Sequence, residues 1–237
     1  MNTYKIVLTG GPCGGKSESI HFLSVKLIEQ KYSVKIINET ANALLKIGYV
    51  PNTNISIFDF QNLLFKIQFL NEYILEGTSE ILLCDRGLFD GKVYINDTDF
   101  QKILDLNKMN EHDVFSTYAC ALYFKSISYE YPDEFIKKRI YETPEVGMYR
   151  DERCKTIWAE KIISCDYNNL DGFNNKQKMI FNSLKNQLEV LKMDIPTKLS
   201  DYYDMNHFRY IYDGLNDILE KNNISNSVKE KTKELIK

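Results

Sequence analysis

Gly10-Gly11-Pro12-Cys13-Gly14-Gly15-Lys16-Ser17 decides the reading of this chain. The stretch fits G-x-x-x-x-G-K-[ST], a glycine-rich loop whose successive backbone N–H groups wrap phosphates. Its surroundings are those such a loop requires. Tyr4-Lys5-Ile6-Val7-Leu8-Thr9 reads as a buried parallel strand, and Ser19 to Lys31 as a helix with Ile20, Leu23, Leu27 and Ile28 on one face. A phosphate seated between them also meets the positive end of a helix dipole. Lys16, an exposed loop cation on this reading, is expected to reach the β- and γ-phosphates, and Ser17 to ligate Mg²⁺. Gly11, Pro12, Cys13, Gly14, Gly15, Lys16, Ser17 and Glu18 are the expected nucleotide contacts.

At 237 residues, 43% apolar and 27% charged, the chain has the composition of a soluble globular protein with one large domain, or one domain with an appendage. The formal net charge of −3 argues against a wide nucleic-acid-binding face. The five cysteines (Cys13, Cys84, Cys120, Cys154, Cys165) show neither a C-x-x-C pair nor a metal-ligand spacing, which suits reduced thiols in the cytoplasm. Cys13 lies inside the loop, as a small tolerated residue or as a reactive thiol near a helix N-terminus. His21, His112 and His207 are scattered. The N-terminus runs into a strand rather than a leader peptide, and no run approaches the ~18 apolar residues of a membrane span.

Strands alternate with helical patterns, the sign of an α/β fold with a mainly parallel sheet. Further strands are expected at Ser33–Ile37, Ile81–Cys84, Ala119–Phe124 and Ile162–Cys165. Helices are expected at Ala41–Ile47, Ile55–Leu75, Phe100–Leu106, Asn110–Ser116, Asp133–Ile140, Lys176–Lys192, Tyr202–Lys221 and Ser227–Ile236. Residues 126–160 carry no strand signal and little apolar periodicity.

In such sheets ligands bind outside the C-terminal ends of the strands. Asp85 follows four apolar residues, a pattern that delivers one carboxylate to a nucleotide-bound Mg²⁺. An N-cap aspartate is the other reading. Arg86 beside it suits a phosphate or a substrate hydroxyl, or else an ion pair with a neighbouring acid. Glu39 ends the second strand, placed to accept a proton from an attacking hydroxyl or to sit as a first-turn helix glutamate. Of the five arginines, Arg139, Arg150 and Arg153 fall in 126–160. A lid there would bring Arg150 or Arg153 to a transferring phosphoryl group; surface pairing with Glu142, Glu145, Asp151 and Glu152 is the alternative.

Together the loop, Glu39-Thr40-Ala41, Asp85-Arg86-Gly87-Leu88-Phe89-Asp90-Gly91, Arg150-Asp151-Glu152 and Trp158-Ala159 resemble the AAA-type ATP-binding domain family related to nicotinamide riboside kinase, within the kinase branch of P-loop NTPases. The resemblance covers residues 3–192. It implies a P-loop NTPase three-layer α/β/α sandwich with a five-stranded, mainly parallel sheet. The expected organisation is a kinase-like domain over 1–193, with a helical lid near 126–160, and a C-terminal helical extension over 194–237. Related domains contact adenine from a polar turn after a short strand, which implies a base-binding role for Tyr167, Asn168 and Asn169.

The implied activity is a Mg²⁺-dependent kinase moving the γ-phosphoryl of ATP, or of GTP, to a hydroxyl of a small nucleoside-like acceptor. Lys16, Glu39, Arg86, Arg150 and Arg153 are its expected catalytic residues. Ser17 and Asp85 are the expected metal ligands, and Glu39, Arg86 and Asp90 the acceptor contacts, with Tyr94 either beside them or in the core. An NTP-hydrolysing or NTP-sensing module without an acceptor stays open, as does a 5′-hydroxyl polynucleotide kinase. The acidic charge and the lack of a basic, aromatic-interleaved stretch weigh against the last.

Overall fold

The computed structural model describes residues 1–126, 143–164, 172–222 and 224–236. Five parallel strands form one sheet in the order β2-β3-β1-β4-β5: β1 (Tyr4–Thr9), β2 (Val34–Ile37), β3 (Ile81–Asp85), β4 (Tyr118–Tyr123) and β5 (Ile162–Ser164). The central strand alternates. Ile6 and Leu8 face one side of the sheet and Val7 the other, all fully buried. This is the pattern of a strand covered on both faces by helices.

On the Ile6/Leu8 side lie α1 (Lys16–Glu29), through Ile20, Leu23 and Leu27, and a helix at Phe173–Leu191, through Ile180, Leu184 and Leu188. On the Val7 side lie α3 (Ile57–Leu75) and α4 (Asp97–Leu106). Helix α2 (Thr40–Lys46) follows β2, and α5 (Glu111–Ser116) leads into β4. Ser56 caps α3 by accepting the Asp59 N–H, so the helix starts two residues later than its apolar pattern suggests.

Residues 126–160, expected to be helical without apolar periodicity, are described only from 143 onward and at 126. A helix, α6 (Pro144–Ile157), occupies their second half, capped by Thr143 with Pro144 in the first turn. It buries Gly147, Asp151, Cys154 and, just past its end, Trp158. These positions repeat at helical spacing, but two of the four are glycine and aspartate, so apolar periodicity does not reveal them. The expected helix at Asp133–Ile140 and Arg139 lie outside the described residues.

The helix at Phe173–Leu191 is α7. The C-terminal segment adds α8 (Met205–Lys221) and α9 (Asn226–Lys233). Ile211, Leu215, Ile218 and Leu219 of α8 join the same core as α3, so this segment completes the layer over α3. No described helix is long and apolar enough to cross a membrane. The described cysteines are free thiols, and burial pushes Cys120 up to about 12 and Cys84 and Cys154 above the ordinary range.

Candidate functional site

The loop Gly10–Ser17 joins the central strand to α1 at the C-terminal edge of the sheet. Gly10 has φ of 125°, and a Cβ there would collide with the Phe124 carbonyl at the end of β4. Only glycine lets the loop lie this close to the neighbouring strand. Gly15 enters α1 with φ of 83° and makes no side-chain cap, so the first N–H groups of α1 have no capping side chain.

Lys16 is not the exposed cation the sequence suggests. It is 8% exposed and folds back over its own loop, donating to the Gly11 carbonyl at 2.8 Å and the Gly10 carbonyl at 3.2 Å. Burial and the nearby Arg86 charge lower its ammonium to about 8. Its hydrogen bonds go only to neutral carbonyls, and the Asp85 and Glu39 carboxylates offset part of the burial cost from a distance, so an anion bound on the loop would stabilise the charged form.

Asp85 ends β3 with its carboxylate against the loop. Its Oδ2 accepts from the Ser17 hydroxyl at 3.0 Å, while its buried Oδ1 makes no hydrogen bond among the described residues. Burial raises this carboxyl above the usual range although Lys16 pulls the other way. An orphaned carboxylate oxygen beside a hydroxyl at a helix N-terminus fits Mg²⁺, which takes one or two protein oxygens and completes its shell with phosphate and water. The described residues contain no cluster of three or more His, Cys, Asp or Glu suited to a metal. A phosphate-borne Mg²⁺ needs none.

A cavity of about 700 Å³ opens beside the loop, with Asp85 in its wall. Its polar side is built by Glu39, Arg86, Asp90, Gln61 and Gln68, and Phe60, Leu64 and Pro51 supply apolar surface. Arg86 has φ of 73°, rare for a side-chain-bearing residue. From that conformation its Nε reaches Glu39 Oε1 at 3.3 Å and its Nη1 reaches Asp90 Oδ1 at 3.1 Å. Glu39 precedes α2 at the N-cap position yet makes no side-chain cap; its carboxylate lines the cavity and pairs with Arg86.

Asp90 lines the same cavity but is 3% exposed and already holds four donors. Oδ1 accepts from Thr9 at 2.7 Å and from Arg86, and Oδ2 from the Gly87 N–H at 2.9 Å and the Trp158 indole at 3.2 Å. The sequence suggests an acceptor contact; the structure makes Asp90 the anchor of Arg86.

The two described arginines of the expected lid diverge. Arg150 lines the cavity and lies over the Tyr94 ring at 4.7 Å, which also brings Tyr94 to the cavity wall. Arg153 instead donates to the Lys92 carbonyl at 2.7 Å and to Asp97 at 3.1 Å and is not among the residues lining the cavity. This is the ion-pair reading. Between them Asp151 turns inward and accepts from the Gly11 N–H at 2.6 Å, the Tyr123 hydroxyl at 2.7 Å and the Ser126 N–H at 3.2 Å. Helix α6 is therefore tied to the phosphate loop. Tyr167, Asn168 and Asn169 lie outside the described residues.

Sequence reasoning misses Gln61, Gln68 and Asp151. The first two sit in a long apolar helix, where a glutamine signals nothing by itself. Gln61 is 5% exposed, and its Oε1 makes no hydrogen bond among the described residues. A buried amide oxygen facing no donor, in a residue lining a cavity, is the signal only the structure supplies.

A family model described as AAA domain matches residues 5–170, more than half of the chain, and the chain belongs to this family. No curated protein matches it. Among solved structures it is similar to deoxyadenosine kinase from M. mycoides with the products dCMP and a flexible dCDP bound. The TM-score is 0.54 at 17% identity, over 78% of this chain and 99% of that one. The same enzyme with bound dATP gives a TM-score of 0.53 at 15% identity, over 77% and 99% of the two chains. At such identity the likeness is one of fold: a P-loop α/β domain of the kind seen in nucleoside kinases.

Proposed function

We propose that this AAA-domain chain is a Mg²⁺-dependent kinase that transfers the γ-phosphoryl group of ATP to a hydroxyl of a small, nucleoside-like acceptor. The observation that carries the reading is the cavity of about 700 Å³ that shares Asp85 with the phosphate-loop site. Its volume falls in the range of small-molecule sites. A module that only hydrolyses or senses nucleotide has no need of a second, partly apolar chamber at the γ-phosphate end. The unmatched Oε1 of Gln61 calls for a donor on the ligand, such as the exocyclic amine of a base or a sugar hydroxyl.

Lys16 and the loop N–H groups hold the triphosphate, and the acceptor lies in the cavity with its hydroxyl at Glu39. The carboxylate takes the hydroxyl proton as the oxygen–phosphorus bond forms, and the γ-phosphorus separates from the bridging oxygen, which leaves with ADP. Arg86 orients Glu39 and faces the charge of the transferring group, together with Arg150, which lines the same cavity. Mg²⁺ held by Ser17 and Asp85 would neutralise charge on the phosphates.

Purified protein given Mg-ATP and, separately, each nucleoside, nicotinamide riboside and 5′-hydroxyl oligonucleotides should release ADP with one small acceptor and yield its phosphate. Phosphate release independent of any acceptor would overturn the reading in favour of hydrolysis, and labelling of oligonucleotides in favour of a polynucleotide kinase. Asp85→Asn keeps the shape of the site but removes its negative charge. It should raise the Mg²⁺ concentration for half-maximal turnover about tenfold or more while leaving nucleotide binding in EDTA nearly unchanged. Equal losses in both would reduce Asp85 to a structural cap.

A further inference from the structure

We propose that Gln68 is a positioning residue that holds Arg86 in its left-handed conformation and ties the start of α2 to the same turn, so that Glu39 and the Arg86 guanidinium meet at the cavity. The proposal rests on the kinase reading only for its activity readout.

Gln68 is 2% exposed and has no free hydrogen. Its Nε2 donates to Glu72 Oε1 at 2.8 Å and to the Arg86 carbonyl at 3.3 Å, and its Oε1 accepts from the Thr40 hydroxyl at 2.7 Å. An amide has two N–H groups, and both are used. Although Gln68 reaches the cavity wall, it has no donor left for a ligand. Gln61, two helical turns earlier, differs in having its oxygen unmatched. Helix α3 thus presents one glutamine to the ligand and one to the frame.

The frame is anchored on Glu72, which is fully buried. Its carboxylate accepts from the Tyr118 hydroxyl at 2.8 and 2.9 Å and pairs with Lys5 at 3.3 Å. The Tyr118 oxygen in turn accepts the Leu88 N–H at 2.9 Å. Through Gln68 and Tyr118, one buried carboxylate therefore holds the Arg86 carbonyl and the Leu88 N–H, the backbone groups on either side of Gly87. A left-handed residue with a side chain persists only where its surroundings over-determine it. Glu72 and its two extensions supply that constraint. The Thr40 bond carries the same control to the residue after Glu39.

The test pairs activity with a probe that needs no substrate. Trp158 is the chain's single tryptophan, and its indole N–H bonds Asp90, the anchor of Arg86. Gln68→Met keeps length and removes all three bonds. It should lower kcat by about 10- to 100-fold with the ATP KM within about threefold, because misplacement falls on Glu39 and Arg86 and not on the phosphate loop. Trp158 emission in the free protein should shift. Thr40→Val, which removes one of the three bonds and keeps the size of the side chain, should show the same split to a smaller degree, and it stands as the test if Gln68→Met does not fold. A kcat within twofold of wild type with unchanged Trp158 emission would overturn the proposal. So would an ATP KM that rises as much as kcat falls. If the wild-type protein phosphorylates no acceptor, the kinase reading fails by itself, and Trp158 emission still decides whether Gln68 holds the turn.

Discussion

Lys16→Met should reduce turnover by about 10²- to 10³-fold while the protein still folds. Methionine keeps the length of the stem that packs under the loop, so the loss isolates the ammonium. That ammonium bonds only the Gly10 and Gly11 carbonyls, and burial and Arg86 hold it down to about 8. A bound triphosphate works in the opposite direction and raises it. The sign of the linkage follows. Below pH 8 Lys16 is already charged in the free protein, and nucleotide affinity through this group is level. Above pH 8 the free protein is increasingly neutral there, so binding takes up a proton and affinity falls by up to about tenfold per pH unit. Calorimetric titration in two buffers of different ionisation enthalpy would show the uptake. Lys16→Met should bind weakly and lose this alkaline fall. A variant with wild-type turnover would remove the phosphate-binding reading of the loop.

The phosphate loop was legible because local chemistry and context coincide: a strand, glycines at tight positions, a lysine and a hydroxyl at the start of a helix. The placement of Glu39, Asp85 and Arg86 in one cavity wall follows from a related cause, since strands of a parallel sheet deliver the residues at their ends to the same edge. Strand order was not legible. β1 pairs with β3 and β4 rather than with its successor, and pairing across a crossover leaves no trace in a single sequence. Helix α6 escaped because its buried stripe is largely polar or small: Asp151 faces inward to hold Gly11. The same holds inside the site. Arg150 and Arg153 are alike in sequence, yet one lines the cavity and the other closes an ion pair with Asp97. Asp90 looks like a ligand contact until its four donors are counted. Gln61 and Gln68 differ only in whether the amide oxygen has found a partner. These distinctions arise from hydrogen bonds between residues far apart in the chain, which spacing does not encode.

Glu39→Gln separates transfer from hydrolysis most sharply. The amide keeps the size of the side chain and an oxygen to accept from Arg86 Nε, now at 3.3 Å, but it takes no proton from an acceptor hydroxyl. With Glu39 as general base, kcat should fall by about 10²- to 10⁴-fold. The ATP KM should hold within a few-fold, since Glu39 lines the cavity and its hydrogen bond goes to Arg86 rather than to the phosphate loop. The competing role makes a different forecast. A glutamate that only complements the dipole of α2 would cost about 0.3–1 kcal/mol of stability on neutralisation and leave kcat almost untouched. Glu39 sits at the N-cap position of α2 without a side-chain cap, so that role would act through charge alone. Glu39→Asp adds a control: it restores the charge but withdraws it by one methylene, so it should recover part of kcat if proton transfer is the function. A fall below tenfold in Glu39→Gln would exclude the base. If acceptor-independent ADP release persisted at the wild-type rate in that variant while transfer vanished, Glu39 would be shown to serve the acceptor and not the nucleotide.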